Sequence, residues 1–227
     1  MIAPDELLRS HGGRYATALG IDLASPDAGE RFKWFLAAML YGARISELLA
    51  SRTWHEFAAR GLLTPHLIME TGWDGLVAIL DAGGYTRYDY KTATKLLDAC
   101  TALAHDYGSS LDTLHDIATD PRDLEMRLKA LSKGIGDITV AIFLRELRGI
   151  WTKADPPLTP LVLNAAQALG YLQLDSDDAD RALPRLRKIW TDNGQPAADF
   201  ADFEAALVRE GLRLRHLATR YRRDFTR

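Results

Sequence analysis

At three predicted helix starts a proline directly follows a residue that commonly caps a helix: Thr64-Pro65, Asp120-Pro121 and Thr159-Pro160. Proline is favoured in the first helical turn because its missing N–H would have no helical partner there. The side-chain oxygen that precedes it can accept a hydrogen bond from the first amides. Alternating runs of β-branched residues, which would predict strands, are scarce. The chain is therefore predicted to be an all-α protein.

Apolar residues recur at spacings of three and four, which predicts helices with one buried face. The longest of these covers Phe32–Ala50. Further helices are predicted at Thr53–Arg60, Asp74–Ala82, Tyr90–Tyr107, Ser110–Ile117, Arg122–Leu131, Ile138–Arg148, Pro160–Leu169, Asp177–Asn193 and Ala198–Arg222. The tryptophans are expected to anchor the core, because large aromatic side chains dominate core burial; they are Trp34, Trp54, Trp73, Trp151 and Trp190.

Composition excludes several classes of protein. The 227 residues are 47% hydrophobic and 26% charged, which is typical of a globular domain rather than a disordered chain. No apolar run is long enough to cross a membrane, and no membrane partner is expected. Residues 1–9 include Asp5 and Glu6, so no signal peptide is expected either. The single cysteine, Cys100, excludes a four-cysteine iron–sulfur cluster and fits a reducing cytoplasm.

The formal net charge of −3 is unevenly distributed. Residues 174–204 hold eight acids and four bases, whereas residues 209–227 hold seven arginines against two acids, Glu210 and Asp224. A basic C-terminal segment on an otherwise acidic protein can bind phosphates. A solvated helix end explains the same pattern, and the sequence leaves both interpretations open.

The most informative segment is Leu128–Leu147, which reads LKALSKGIGDITVAIFLREL. Gly134 and Gly136 lie between two predicted helices and can adopt positive φ. The side chain of Ile135, between the two glycines, is expected to pack between those helices. Amides at the start of the second helix, with little side-chain bulk before them, can bind a phosphate without reading sequence. Lys133 would add a positive charge beside them. A plain turn between two helices is the alternative.

This hairpin resembles a known motif. Leu131–Val140, LSKGIGDITV, is similar to the helix-hairpin-helix of the endonuclease III-like DNA glycosylases, the HhH-GPD superfamily. Phe35–Ser46, FLAAMLYGARIS, resembles the family's early helix, and Gly84-Tyr85 resembles the loop before the hairpin. Leu158–Gly170, LTPLVLNAAQALG, aligns with the helix that follows the family's catalytic aspartate.

The resemblance implies two helical lobes, residues 31–148 with the hairpin and residues 1–30 plus 149–227, with double-stranded DNA across the cleft between them. It also implies base excision repair: a damaged or mismatched base is flipped out of the duplex, and its N-glycosidic bond is hydrolysed. A monovalent cation held by hairpin carbonyls is implied, and no other cofactor is expected. The oligomeric state is left open.

Residue by residue, the resemblance assigns DNA binding to the hairpin, namely Lys133, Gly134, Ile135, Gly136 and Thr139. Tyr85 and Arg87, in the segment YTRYDYK, fall where the family's gap-filling loop lies. Aromatic rings can stack in a gap while cations hold phosphates. Amphipathic tyrosines in a surface loop at a helix start are the alternative.

Two departures from the family bear on catalysis. Ile138 occupies the position of the lysine that forms a Schiff base in bifunctional members, so any glycosylase here is expected to be monofunctional, without lyase activity. The family's catalytic aspartate aligns with Asp155 when counted from the hairpin and with Thr159 when counted back from the following helix. We predict Asp155 as the catalytic carboxylate, with Thr159 as the competing position.

Two further interpretations stay open. In the first, the protein keeps this fold and binds DNA without chemistry, which Ile138 and Thr159 favour. In the second, the protein is an all-helical interaction protein whose hairpin is only a turn. Salt-dependent DNA binding separates the last interpretation from the others.

Overall fold

A computed structural model of the chain describes residues 2–173 and 179–224. Across these residues every regular element is helical and no strand is present, so the all-α prediction is confirmed. The helices are α1 (Pro4–His11), α2 (Tyr15–Ala18), α3 (Ala28–Tyr41), α4 (Glu47–Ala59), α5 (Pro65–Gly83), α6 (Asp89–Tyr107), α7 (Leu111–Ile117), α8 (Pro121–Ala130), α9 (Asp137–Glu146), α10 (Pro160–Ala168), α11 (Ala179–Asp192) and α12 (Phe200–Asp224). A 3-10 turn, Ala197–Asp199, precedes α12.

The chain divides into two compact units. Unit 1 consists of Met1–Ala18, Arg145–Thr152 and Pro156–Arg227, and unit 2 of Leu19–Leu144 and Lys153–Asp155. These bounds differ from the lobes expected from the sequence, because residues 19–30 and 153–155 belong to unit 2 and residues 145–148 to unit 1.

All three predicted capping sites are present. Thr64 Oγ1 accepts from the Leu67 amide at 3.3 Å, and Asp120 Oδ1 accepts from Asp123 at 2.9 Å. Thr159 Oγ1 lies 3.5 Å from the Val162 amide. Each of these oxygens satisfies an amide that has no partner within its own helix. Local chemistry alone therefore sets the starts of α5, α8 and α10.

The helix predicted over Phe32–Ala50 is two helices. Helix α3 ends at Tyr41, and α4 begins at Glu47 with Ser46 as its cap. The reason lies outside the segment: a methyl group built on Gly42 would overlap Thr139 Oγ1, so the chain turns here against α9. The periodic spacing of apolar residues continues across this turn, so the sequence pattern does not indicate it.

Helix α5 contains a break at Gly72, whose φ of +69° and ψ of 173° are not helical. Few residues other than glycine adopt this conformation. Trp73 follows the break and is 40% exposed, so its predicted role as a core anchor is wrong. The other four tryptophans are buried, as predicted.

Unit 1 contains charged side chains that are fully buried. Arg148 Nε lies 2.7 Å from Glu204 Oε2, and the Arg148 guanidinium also donates to the Pro156 carbonyl. Glu146 accepts from the amides of Tyr15 and Ala16, at 2.8 and 2.7 Å, and so satisfies the start of α2. Burial raises the pKa of Glu146, against the opposing effect of Arg145. Arg145 and Arg148 therefore serve the interior of this unit rather than its surface.

Residues 213–220 of α12 are basic and mostly exposed. Arg215 and Arg220 are exposed, and Arg213 forms an ion pair with Glu210 at 2.6 Å. Residues 225–227 of the predicted basic end lie outside the described residues. No helix in the described part of the chain is both long and apolar enough to span a membrane.

Candidate nucleic-acid interface

The hairpin predicted from the sequence is formed by the end of α8, a turn over residues 131–136 and the start of α9. Ile135 is buried, as predicted, and its amide donates to the Ser132 carbonyl at 3.1 Å. This bond closes the turn and holds the backbone on either side of Ile135 at the surface. Lys133, Gly134 and Gly136 are exposed there.

Only one of the two glycines needs positive φ. Gly134 has φ +107°, whereas Gly136 does not adopt a positive φ. The Gly136 carbonyl accepts from Val140 at 3.1 Å, so Gly136 acts as the N-cap of α9. A Cβ built on Gly136 would meet no heavy atom within 4 Å. No side chain therefore fills the space beside Gly136, as an anion site at a helix start requires.

One ion pair and one further lysine define the electrostatics of this surface. Asp137, the first residue of α9, is exposed and lies 2.5 Å from Lys129 Nζ of α8. Its carboxylate suits the helix N-terminus but opposes a phosphate that approaches the same amides. Lys129 neutralises part of that charge, and exposed Lys133 adds a cation. The sequence prediction did not take Asp137 into account.

Thr139 does not reach the surface with its side chain. It is buried against Gly42, where it fixes the turn between α3 and α4. Its expected contribution to DNA binding is thus limited to its backbone amide. The contact also places the segment 42–46, with exposed Arg44, beside the start of α9.

Two apolar side chains are exposed in these elements. Ile138, at the position of the family's lysine, is 69% exposed on α9. Leu48, in the first turn of α4, is 80% exposed. Sequence analysis missed Leu48 because the predicted long helix assigned it to a buried face. The sequence feature that could have predicted the exposure of Leu48 is the Ser46 cap. This cap starts a new helix and so changes the face on which Leu48 lies.

A buried lysine lies beneath the turn. The Lys95 side chain, on α6, passes 3.8 Å from the position that a Gly134 Cβ would occupy. Its Nζ donates to the Met39 carbonyl at 3.0 Å, at the C-terminal end of α3. Burial lowers the pKa of Lys95 to about 8. This residue supports the hairpin from inside, and no sequence motif marks it.

Tyr85 and Arg87 differ in their placement. Tyr85 is buried, and its hydroxyl donates to the Leu40 carbonyl at 3.1 Å. Burial raises the pKa of Tyr85 to about 12. The expectation that Tyr85 stacks against DNA is therefore wrong: its ring fills the core and its hydroxyl caps the end of α3. Arg87 is exposed, with its guanidinium 5.4 Å from the centre of the Tyr88 ring.

The two candidate carboxylate positions also differ. Asp155 is exposed, between buried Ala154 and buried Pro156, and its amide donates to the Lys153 carbonyl at 3.0 Å. It belongs to unit 2, as the hairpin does. Thr159 is the N-cap of α10. Lys153, in turn, donates to the His115 carbonyl at 2.6 Å.

Among the described residues, no group of three or more His, Cys, Asp or Glu side chains is placed to hold a metal ion. The monovalent cation implied by the resemblance would instead use backbone carbonyls of the turn, which suit such ions. The Ser132 carbonyl accepts one hydrogen bond, from Ile135, and retains a second lone pair. A bound cation there would add positive charge near an approaching phosphate.

No known protein-family model matches the chain, and no curated protein matches it significantly. The likeness to the endonuclease III-like glycosylases therefore rests on the hairpin motif and on the order of the helices around it.

Proposed function

We propose that the protein binds double-stranded DNA through its hairpin and hydrolyses the N-glycosidic bond of a damaged or mismatched base. The observation that carries this proposal is the open turn Gly134–Gly136, with Ile135 buried and space before the first amides of α9. A phosphate can reach the amides at a helix start only where such space lies before them.

The hairpin would bind the DNA backbone and not the bases. The amides at the start of α9 would donate to phosphate oxygens, and Lys133 would add an ionic contact. Such contacts fix the position of a protein on the duplex without reading its sequence. Base choice would then depend on groups elsewhere in the protein.

In this proposal Asp155 carries out the chemistry. Its carboxylate would stabilise positive charge at the sugar carbon as the base departs, and would accept a proton from the attacking water. The hairpin presents Ile138 instead of an amine, and the buried amine of Lys95 is bonded to a helix carbonyl. The reaction would therefore end at an abasic site, with the strand intact.

Adding bulk at Gly136 is expected to weaken DNA binding at least tenfold while the fold is retained. Gly136→Leu needs no positive φ and its Cβ meets no heavy atom within 4 Å, and we expect its side chain to cover the amides. The dissociation constant should rise equally for several duplex sequences. It can be measured by fluorescence anisotropy at low salt, together with a thermal melt.

Ala59→Leu is the matched control, because it adds similar bulk at an exposed position of α4, in the same unit. Its affinity should equal that of the wild type. If Gly136→Leu binds as tightly as this control, the hairpin does not contact DNA.

Replacing Asp155 by asparagine is expected to reduce base excision about 100-fold or more, a typical loss for a positioned acid–base group. Single-turnover reactions would use duplexes with uracil, hypoxanthine, alkylated purines, oxidised bases and mismatches, with and without hot alkali. Strand breaks that appear only after alkali indicate a monofunctional glycosylase. Breaks without alkali, or equal excision by the variant, contradict the assignment.

A second candidate function is DNA binding without excision. The use of Thr159 as a helix cap favours it, because the position that aligns with the family's aspartate when counted back from α10 then carries no carboxylate. Thr159→Asp keeps the cap, since aspartate is as effective there. If the wild type excises nothing and this variant gains excision, the chain is a binding protein that lost its carboxylate at this position.

A further inference from the structure

Asp155 lies in a short segment that belongs to a different unit from the chain on either side. Arg145–Thr152 and Pro156–Arg227 are part of unit 1, whereas Lys153–Asp155 is part of unit 2. The Asp155 side chain is exposed. The position of an exposed carboxylate depends on the backbone that carries it, and catalysis needs that position to within about 0.5 Å.

The side chain of Lys153 anchors this segment to helix α7. Its Nζ donates to the His115 carbonyl at 2.6 Å and to the Asp116 carbonyl at 3.4 Å. Carbonyls in the last turn of a helix have no partner within their own helix, and the helix dipole favours a cation there. Lys153 is half-buried, so these charge-assisted bonds are partly shielded from water.

Helix α7 is a firm support for this anchor. Leu111 and Leu114 are buried in unit 2. Asp112, on the same helix, forms an ion pair with Arg31 of α3 at 3.1 Å. Both apolar packing and an ion pair therefore hold the helix to which Lys153 is bonded.

The backbone transmits the position of Lys153 to Asp155. The Asp155 amide donates to the Lys153 carbonyl at 3.0 Å, which closes a turn of three residues. Pro156 follows directly, and a residue before proline is restricted to extended backbone angles. Asp155 therefore has little conformational freedom of its own, and its backbone moves with that of Lys153.

The same contacts exclude Lys153 as the amine of a lyase. A Schiff base forms only when an unprotonated amine reaches the sugar carbon. The Lys153 amine is instead bonded to two carbonyls at the end of a helix. Its contribution to the reaction must come through the residue whose backbone it holds.

We infer that Lys153 is a positioning residue for Asp155: its charge, held at the end of α7, fixes the backbone from which the carboxylate reaches the sugar. The inference rests on the proposed function and deepens it by adding a residue that acts through the carboxylate. A displacement of a reacting group by about 1 Å can lower a rate about 100-fold.

The test measures single-turnover excision on duplexes that carry uracil, hypoxanthine, an alkylated purine, an oxidised base or a mismatch. Lys153→Met should lower the maximal rate about 10- to 100-fold and leave the protein concentration at half-saturation unchanged. Lys153→Arg should recover most of the rate, because a guanidinium can donate to the same carbonyls. Lys33→Met is the matched control, because Lys33 also lies in unit 2 but forms its ion pair with Glu30. Its rate should equal that of the wild type.

The double variant Lys153→Met with Asp155→Asn separates positioning from any other effect of Lys153. If Lys153 acts through Asp155, the double variant excises no more slowly than Asp155→Asn alone, because the two losses are not additive. A further loss in the double variant overturns the inference.

Hydrogen exchange of the free protein provides a readout that does not depend on excision. The Asp155 amide should exchange about tenfold faster in Lys153→Met, with the amides of α9 unchanged. Unchanged exchange at Asp155, or faster exchange throughout unit 2, overturns the inference. If the wild type and Lys153→Met excise equally fast, the inference is overturned and the proposed function stands. If the wild type excises none of these lesions, the proposed function fails and the inference fails with it.

Discussion

Replacing Glu204 by alanine is expected to lower the free energy of unfolding by about 3–5 kcal/mol, the usual cost of breaking a buried ion pair. The side chains of Arg148 and Glu204 are 2% and 1% exposed. Without Glu204 the buried guanidinium stays inside unit 1 and loses its ion pair with that carboxylate. Arg148→Ala should have a similar effect, because it leaves the carboxylate buried.

Urea unfolding followed by circular dichroism measures this cost. Asp192→Ala is the control, because the ion pair between Lys188 and Asp192 in the same unit is exposed and its loss should cost less than about 1 kcal/mol. The double variant Arg148→Met with Glu204→Leu should recover most of the loss, since apolar side chains of similar volume avoid desolvation. Equal effects of Glu204→Ala and Asp192→Ala would show that the buried pair contributes little.

Replacing Lys95 by methionine is expected to stabilise the protein by roughly 1–3 kcal/mol at pH 7. The lowering of its pKa from 10.5 to about 8 corresponds to roughly 3 kcal/mol of unfavourable burial. Loss of the hydrogen bond to the Met39 carbonyl offsets about 1 kcal/mol of the gain. Methionine fills the space of the lysine stem without a charge.

The pH dependence provides a second measurement on the same variant. Between pH 8 and 10.5 the unfolded chain holds the Lys95 proton and the folded protein releases it, so wild-type stability rises with pH in this range. Below pH 8 the lysine is charged in both states and the full penalty applies. The difference in stability between Lys95→Met and the wild type should therefore shrink from pH 7 to pH 10.

Lys91→Met is the control, because Lys91 is exposed on the same face of α6. Its stability should follow the wild type at every pH. A Lys95→Met protein that is less stable than the wild type at pH 7 would show that the bond to Met39 outweighs the cost of burial.

Features fixed by neighbouring residues were predictable from the sequence. The caps Thr64, Asp120 and Thr159 each use an oxygen that bonds an amide three residues later. The burial of the Ile135 side chain likewise depends on a local turn. In such cases the residue type and the spacing determine the structure.

Features fixed by distant contacts were not predictable. The helix end at Tyr41 depends on Gly42 meeting Thr139, almost a hundred residues later. The burial of Tyr85 depends on the Leu40 carbonyl at the end of α3, and the exposure of Trp73 depends on the break at Gly72. An amphipathic ring fits a core and a surface equally well, so sequence alone does not separate these outcomes.

The two units finish folding at different times during synthesis. Unit 2 is nearly continuous in the chain, from Leu19 to Leu144, whereas α1 contacts α12 within unit 1. At roughly 5–20 residues per second, the ribosome needs roughly ten to forty seconds to reach α12 after completing α2. During that interval the amides of Tyr15 and Ala16 lack their hydrogen-bond acceptor until Glu146 is synthesised. The apolar face of α1 lacks its packing partner, α12, for longer still. The N-terminal segment is therefore the part of unit 1 that is synthesised longest before its packing partners.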